Sequence, residues 1–239
     1  MTANHLPLPR PLAALVSAVS LLALFVFVAS LSVWNDLDLA FLAALIVITV
    51  TSEIYDFSPF KNSAVSISIA AILAAGILEG LPGVVVLSIA AALADFVAHR
   101  PQTVKALFNF SAMLLTGAAF VAVFSPLSES RNESEWLPGF GPAVAGGCAA
   151  FLVNSLLLAF AISMETGRRF SRVWNEDLRW ALGPYVVLCI FSLFMTTAYA
   201  RWDIPGLVLV LLPLSTIWLV LKVYTGRIQT TTPVVRVPL

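Results

Sequence analysis

Glu165-Thr-Gly-Arg-Arg-Phe-Ser-Arg-Val-Trp-Asn-Glu-Asp177 gathers Arg168, Arg169 and Arg172 in one short polar link. It lies between two apolar runs of membrane length, Pro142–Met164 and Leu178–Ala200. Short basic links stay on the cytoplasmic side of a membrane, so this stretch anchors a topology. Counting apolar runs outward from it gives eight membrane segments. The links then alternate, and of the 13 Lys and Arg residues only Arg131 and Arg201 fall on the far side. Arg10, Lys61, Arg100, Lys105, Arg179, Lys222, Arg227 and Arg236 join the three arginines of the link on the near side. The expected fold is an all-α polytopic membrane helix bundle with both termini cytoplasmic. It comprises a cytoplasmic N-terminal arm (1–11), a single transmembrane helical domain (12–221) and a short cytoplasmic tail (222–239).

Composition agrees with the bilayer as solvent. Charged residues make up 11% of the chain and hydrophobic residues 60%, against about 25% charged in a soluble domain. A water-soluble core cannot absorb that much apolar surface without leaving large exposed patches. The net charge of zero supplies no basic field for nucleic acid. Cys148 and Cys189 sit inside apolar runs as small packing residues and imply neither a disulfide nor a zinc framework. His5 and His99 both lie outside the membrane interior, so no ligand histidine stands ready for haem or pigment. Neither a cofactor nor a metal is called for.

The first span, Leu12–Val33, rises about 33 Å, enough to cross the hydrocarbon. It exceeds the 7–15 residues or so of a signal-peptide core and reads as an uncleaved anchor. Trp34-Asn-Asp-Leu-Asp38 forms an acidic outer turn before the return run from Leu39 to Ser52. Glu53–Asn62 is the inner link. Ser63–Leu81 opens with Ala64-Val-Ser-Ile-Ser-Ile69, whose alternation predicts an extended start. Gly80-Leu-Pro-Gly83 makes a tight break, and Val84–Ala98 runs back. Two runs of roughly 17 residues reach only about 25 Å each. The 64–98 hairpin is therefore either spanning or re-entrant, leaving six segments in the second case. Val104–Phe124 leads out to the polar loop Ser125–Gly139, where Asn132-Glu-Ser134 matches a glycosylation sequon. Arg201-Trp-Asp-Ile-Pro205 is the last outer turn, before Gly206–Leu221. Trp34, Trp136, Trp174, Trp180 and Trp202 all fall at predicted boundaries, where amphipathic rings prefer to lie. Alanine and glycine clusters at 70–76, 90–94 and 146–150 read as close-packing helix faces.

Ionisable groups at membrane depth cost a few kcal/mol and usually mark function or paired interiors. Asp95 and His99 share a helix face at a spacing that permits pairing. With Asn109, Asn154, Glu53 and Asp56 they make a candidate ligand or coupling cluster in the cytoplasmic half. Each also has a plain reading, the asparagines as cross-helix hydrogen-bonders and Asp95 with His99 as a wetted helix end. Glu79 is the outer-side candidate, or snorkels to the surface; Thr196, Thr197 and Tyr199 can line the same region. Arg168, Arg169, Arg172, Trp174 and Arg179 form the candidate cytoplasmic partner surface. No zinc helix, nucleophile elbow or Walker loop is present, and no buried histidine can activate a serine. The chain is not expected to be an enzyme.

The run Gly167–Tyr185, with Lys105-Ala-Leu-Phe-Asn109, the Asn154 helix and Val65-Ser-Ile-Ser68 after a Glu-x-Tyr link, resembles bacterial membrane-associated sensor modules. Such modules stand N-terminal to GGDEF or HD-GYP output domains, and the resemblance covers roughly residues 12–225. It implies a sensory or regulatory bundle with no reaction of its own. The sequence departs from that pattern where Thr230-Thr-Thr-Pro-Val234 interrupts the helix that should enter an output domain, so signalling would pass through a partner protein. The short hairpin is also similar to the substrate-binding subunits of energy-coupling-factor transporters.

Three readings follow. The first is a bacterial inner-membrane sensor or regulatory module, signalling through a partner at its cytoplasmic face and possessing a site for a small-molecule ligand. The second is a small-solute transporter or its substrate-binding subunit, with polar groups beside broken helices. The third is an accessory subunit of a membrane complex.

Overall fold

The computed structural model describes residues 10–34, 37–54, 67–129 and 139–231, with side chains described as far as 212. Asp56, Lys61, Arg131, the Asn132 sequon, Trp136, Arg236 and residues 64–66 of the expected extended start lie outside the described residues. So do the side chains of Lys222 and Arg227. The remainder of that start, Ile67–Ile69, is already helical. Every regular element described is helical. The order is α1 (Arg10–Ser30), α2 (Leu39–Ile54), α3 (Ile67–Leu78), α4 (Gly80–His99), α5 (Thr103–Glu129), α6 (Phe140–Thr166), α7 (Phe170–Val173) and α8 (Leu182–Thr231). A π turn (Trp174–Leu178) and a 3-10 turn (Arg179–Ala181) carry α7 into α8.

Five helices are long and apolar enough to cross a membrane: Pro11–Val33, Gly80–His99, Thr103–Glu129, Phe140–Thr166 and Phe170–Leu212. With 16 and 12 residues, α2 and α3 fall short of that length. The 12 residues of α3 rise about 18 Å, well under the roughly 30 Å of hydrocarbon. Such a helix is tolerated where protein rather than lipid surrounds it. That is its position here: Ala70, Ala71, Leu73, Ala74 and Ala75 are fully or almost fully buried. Apolar on every side, it is the central post of the bundle, packed by α2, α4, α5 and α8.

The break in the hairpin falls earlier than Gly80–Gly83. The reversal is at Glu79 and Gly80, where Gly80 adopts φ +63, and Leu81-Pro-Gly83 already belongs to α4. Proline is harmless in a first helical turn because its missing N–H would have no intrahelical partner there. The result is an unequal pair, a half-length α3 and a 20-residue α4, in place of two equal short runs. At its other end α4 closes on Arg100 at φ 48, whose N–H bonds Phe96 O, and Pro101 follows. Proline beyond a left-handed cap is a common helix stop.

The chain folds back within α8. Asp203 leaves helical geometry (φ 51, ψ −141), dividing it into limbs 182–202 and 204–231. The turn is so tight that a Cβ on Gly206 would lie 2.1 Å from the Ala198 carbonyl oxygen. Close approach recurs where α4 meets α5, since a Cβ on Gly117 would meet Val84 at 2.4 Å. Likewise Gly147 of α6 lies directly against Cys189 of α8. Lipid is as apolar as leucine, so contact between helix backbones replaces escape from water as the source of cohesion.

Candidate functional site

Ionisable side chains among the described residues gather at the two ends of the bundle. At one end, Asp38 caps α2. Its Oδ1 accepts the backbone N–H groups of Ala40 and Phe41, both at 3.0 Å. A carboxylate there satisfies donors that the first helical turn leaves free, and suits the helix dipole. Oδ2 accepts a 2.7 Å hydrogen bond from the Tyr199 hydroxyl on α8. The Tyr199 ring packs on Phe41 with centroids 4.6 Å apart. Glu79, at the α3–α4 reversal, accepts the Asp38 backbone N–H at 3.3 Å from each carboxylate oxygen. Asp203, at the fold within α8, stands close enough for its charge to act on the Tyr199 hydroxyl. One joint thus ties α2, the α3–α4 reversal and α8.

Its two bonded carboxyls are driven in opposite directions. The Tyr199 hydroxyl, followed by the Phe41 N–H, holds Asp38 below the usual aspartate range. Burial pushes Glu79 up, partly offset by the Asp38 N–H and reinforced by the Asp38 charge. Desolvation and a like charge disfavour one ionised form while a donated hydrogen bond favours the other.

The other end lies one length of α4 away. There α6 has returned to the level of Arg100, since it runs antiparallel to α5 with Gly146 against Phe120. Arg168 donates to Asp177 Oδ2 at 2.6 Å and to Glu176 Oε2 at 2.9 Å. Those bonds, with Asp177 the larger influence, hold its guanidinium more firmly protonated than usual. Arg172 stands 3.6 Å from Glu176. Beneath these charges Val173 and Leu178 are buried against Ala159 of α6. The wider π turn keeps Trp174 and Leu178 on the face that meets α6. Trp174 is half-buried, 6.1 Å from the Phe151 ring and 6.2 Å from Phe170. Arg169 and Arg179 are exposed. The partner-surface candidates therefore separate into exposed arginines, an arginine tied up in ion pairs and a tryptophan that packs inward.

Of the proposed coupling cluster, Asp95 and His99 meet, with Oδ1 and Nδ1 3.0 Å apart at the end of α4. Glu53 is half-buried near the end of α2 and engaged in an interaction of its own. Asn109 is half-buried on α5. Asn154 of α6 reaches instead toward the Tyr185 hydroxyl of α8. The two fall short of hydrogen-bond geometry, which leaves that buried hydroxyl without a partner. No hydrogen bond among the described residues links Asp95, Asn109 and Asn154 to one another. Glu79 takes one donor, the Asp38 backbone N–H, which sequence reasoning does not join to it. The signal for Asp38 was an acidic residue just before an apolar run, an N-cap pattern. Nothing local marks Tyr199 as its partner, 161 positions away.

An all-helical apolar bundle with polar joints at both ends defines a membrane-embedded helical module. The MASE9 family model matches residues 23–226, and the chain belongs to that family, one of membrane-associated sensor domains. No curated protein matches the chain, nor does any solved structure.

Proposed function

We propose that the chain is a non-enzymatic, multi-pass sensor or regulatory module of the bacterial inner membrane that signals through a protein partner. The observation carrying this reading is the match to a membrane-associated sensor family over residues 23–226. The orientation follows from the loop charges, with the Arg168 end cytoplasmic and the Asp38 end outward.

The geometry supports a route between the ends. The first limb of α8 holds Tyr199 in the outer joint, and Tyr185 lies 5.5 Å from Phe151, which in turn touches Trp174 above the Arg168 cluster. A stimulus that loosens the Asp38–Tyr199 bond would shift this limb against α6 and alter the presentation of Arg169, Arg172 and Arg179. Such coupling needs a stimulus that interacts differently with two packings. Asn109 and Asn154, between the ends, tune that balance in this scheme.

Affinity purification of the full chain in mild detergent tests the reading. A co-purifying cyclic-nucleotide enzyme or kinase, lost when Arg169, Arg172 and Arg179 are changed together to Gln, is the expected result. A stoichiometric ATPase pair would replace the sensor reading with transport.

A further inference from the structure

An open groove of about 670 Å³ runs between α1 and α5. Val16, Leu24 and Phe27 line one wall, Leu107 and Phe110 the other, and Ser17, Ser20 and Ser111 supply polar atoms. Its volume falls within the range of about 300–1,000 Å³ common for ligand pockets. The Ser111 hydroxyl donates to Leu107 O at 2.8 Å and reaches Ser20 Oγ at 3.3 Å. Ser111 has one proton and gives it to Leu107 O, so the 3.3 Å contact is a long hydrogen bond donated by Ser20, while Ser17 donates to no acceptor among the described residues. Within the Pro11–Val33 span, Ser20 lies about 14 Å from one end and about 20 Å from the other. At that depth the bilayer offers no water to take a hydroxyl proton.

We propose that this groove binds an uncharged, lipid-soluble carbonyl compound with a single apolar chain. The carbonyl oxygen accepts from Ser17 and Ser20, and the chain lies along Leu21, Leu24 and Phe27. Charge is excluded because an ionised head at mid-membrane is costly. The ester carbonyls of bulk phospholipid are excluded by depth, since they sit at the headgroup boundary. A carbonyl at Ser20 competes with its contact to Ser111. It does so on α1, the span with the least protein around it, only 17% of its apolar window being buried. Regulation by such a ligand rests on the sensor reading; binding itself does not.

The test uses the full chain in phosphatidylcholine nanodiscs and a long-chain methyl ketone carrying a diazirine and an alkyne. Phosphatidylcholine with the same diazirine chain is the comparison probe. Light should attach the ketone to peptides containing residues 16–27 and 107–111, and unlabelled ketone should displace it. Ser17→Val with Ser20→Val should weaken ketone labelling about ten-fold, the loss of two neutral hydrogen bonds. Labelling by the lipid probe should be unchanged. Ser17→Thr with Ser20→Thr keeps the hydroxyls and should keep the labelling. Labelling that is not displaced, is matched by the lipid probe, or ignores the loss of both hydroxyls overturns the proposal. Because no signalling partner is present, that failure leaves the sensor reading intact, and a failed partner search leaves the groove intact.

Discussion

Tyr199 is apolar by ring and polar by one atom, and its place in the molecule depends on both. Its ring packs on Phe41 while its hydroxyl holds Asp38 at 2.7 Å. Tyr199→Phe should keep the packing and lower stability by about 1 kcal/mol, the smaller end for a charged acceptor because Asp38 is solvated. The melting temperature of the purified protein checks this. The carboxyls predict opposite pH trends. Asp38 is held below 3.8 in the fold, so its contribution is present above that value and fades as pH falls through the lowered value. Glu79 is raised above 4.5, so the fold binds its proton more tightly than the unfolded chain does. Its contribution is complete below 4.5 and is lost as pH rises through the raised value. Glu79→Gln should therefore remove the decline above pH 4.5 and leave the acid loss below 3.8, as seen by melting across a pH series.

Among the elements, α3 and the folded α8 show what backbone approach contributes. At Gly206 an added methyl meets a main-chain oxygen at 2.1 Å, which cannot swing aside as a side chain would. Gly206→Ala should open the 198–206 reversal and cost about 1–3 kcal/mol or more. Gly183 has nothing within 4 Å of such a methyl, and Gly183→Ala should be neutral or stabilising by up to about 1 kcal/mol. A melting comparison that ranks the two alike would contradict the tight reversal. Around α7, the ion pairs of Arg168 with Glu176 and Asp177 bind the link to the π turn. Arg168→Ala should raise amide hydrogen exchange over residues 168–178 while the centre of α6 stays protected. The apolar runs themselves were legible because hydropathy sums over a window. The start of α4 was not, because Leu81-Pro-Gly83 reads as a turn until Glu79 and Gly80 are seen to make it first.

For the whole molecule, the loop charges predict which end faces the cell interior. Single cysteines replacing Glu129, at the end of α5, and Arg169, at the α6–α7 link, should react with a membrane-impermeant maleimide from opposite sides. Labelling of both from one side would overturn the proposed threading. The runs read from hydropathy are helical where described, apart from the turn at Glu79. Among the described residues five helices have spanning length, and the burial of α3 by its neighbours explains why a shorter one persists.

The partners of the polar residues were the part least visible in the chain. In water, an amphipathic stripe tells which helix face turns inward. Here α5 and α6 are apolar around most of their circumference, since lipid and protein interior ask for similar side chains. Asn109 and Asn154 looked like members of one cluster because they share a depth. Rotation about the helix axes set Asn154 toward Tyr185 instead.

Sequence alone determined that the chain is helical and built for a bilayer, and which links carry its charges, because those properties are local sums over neighbouring residues. Only the tertiary structure decided that Asp38, Glu79 and Tyr199 form one joint, that α3 is an enclosed post and that a groove opens beside Ser20. Those depend on how helices distant in the chain are turned and how closely their backbones approach.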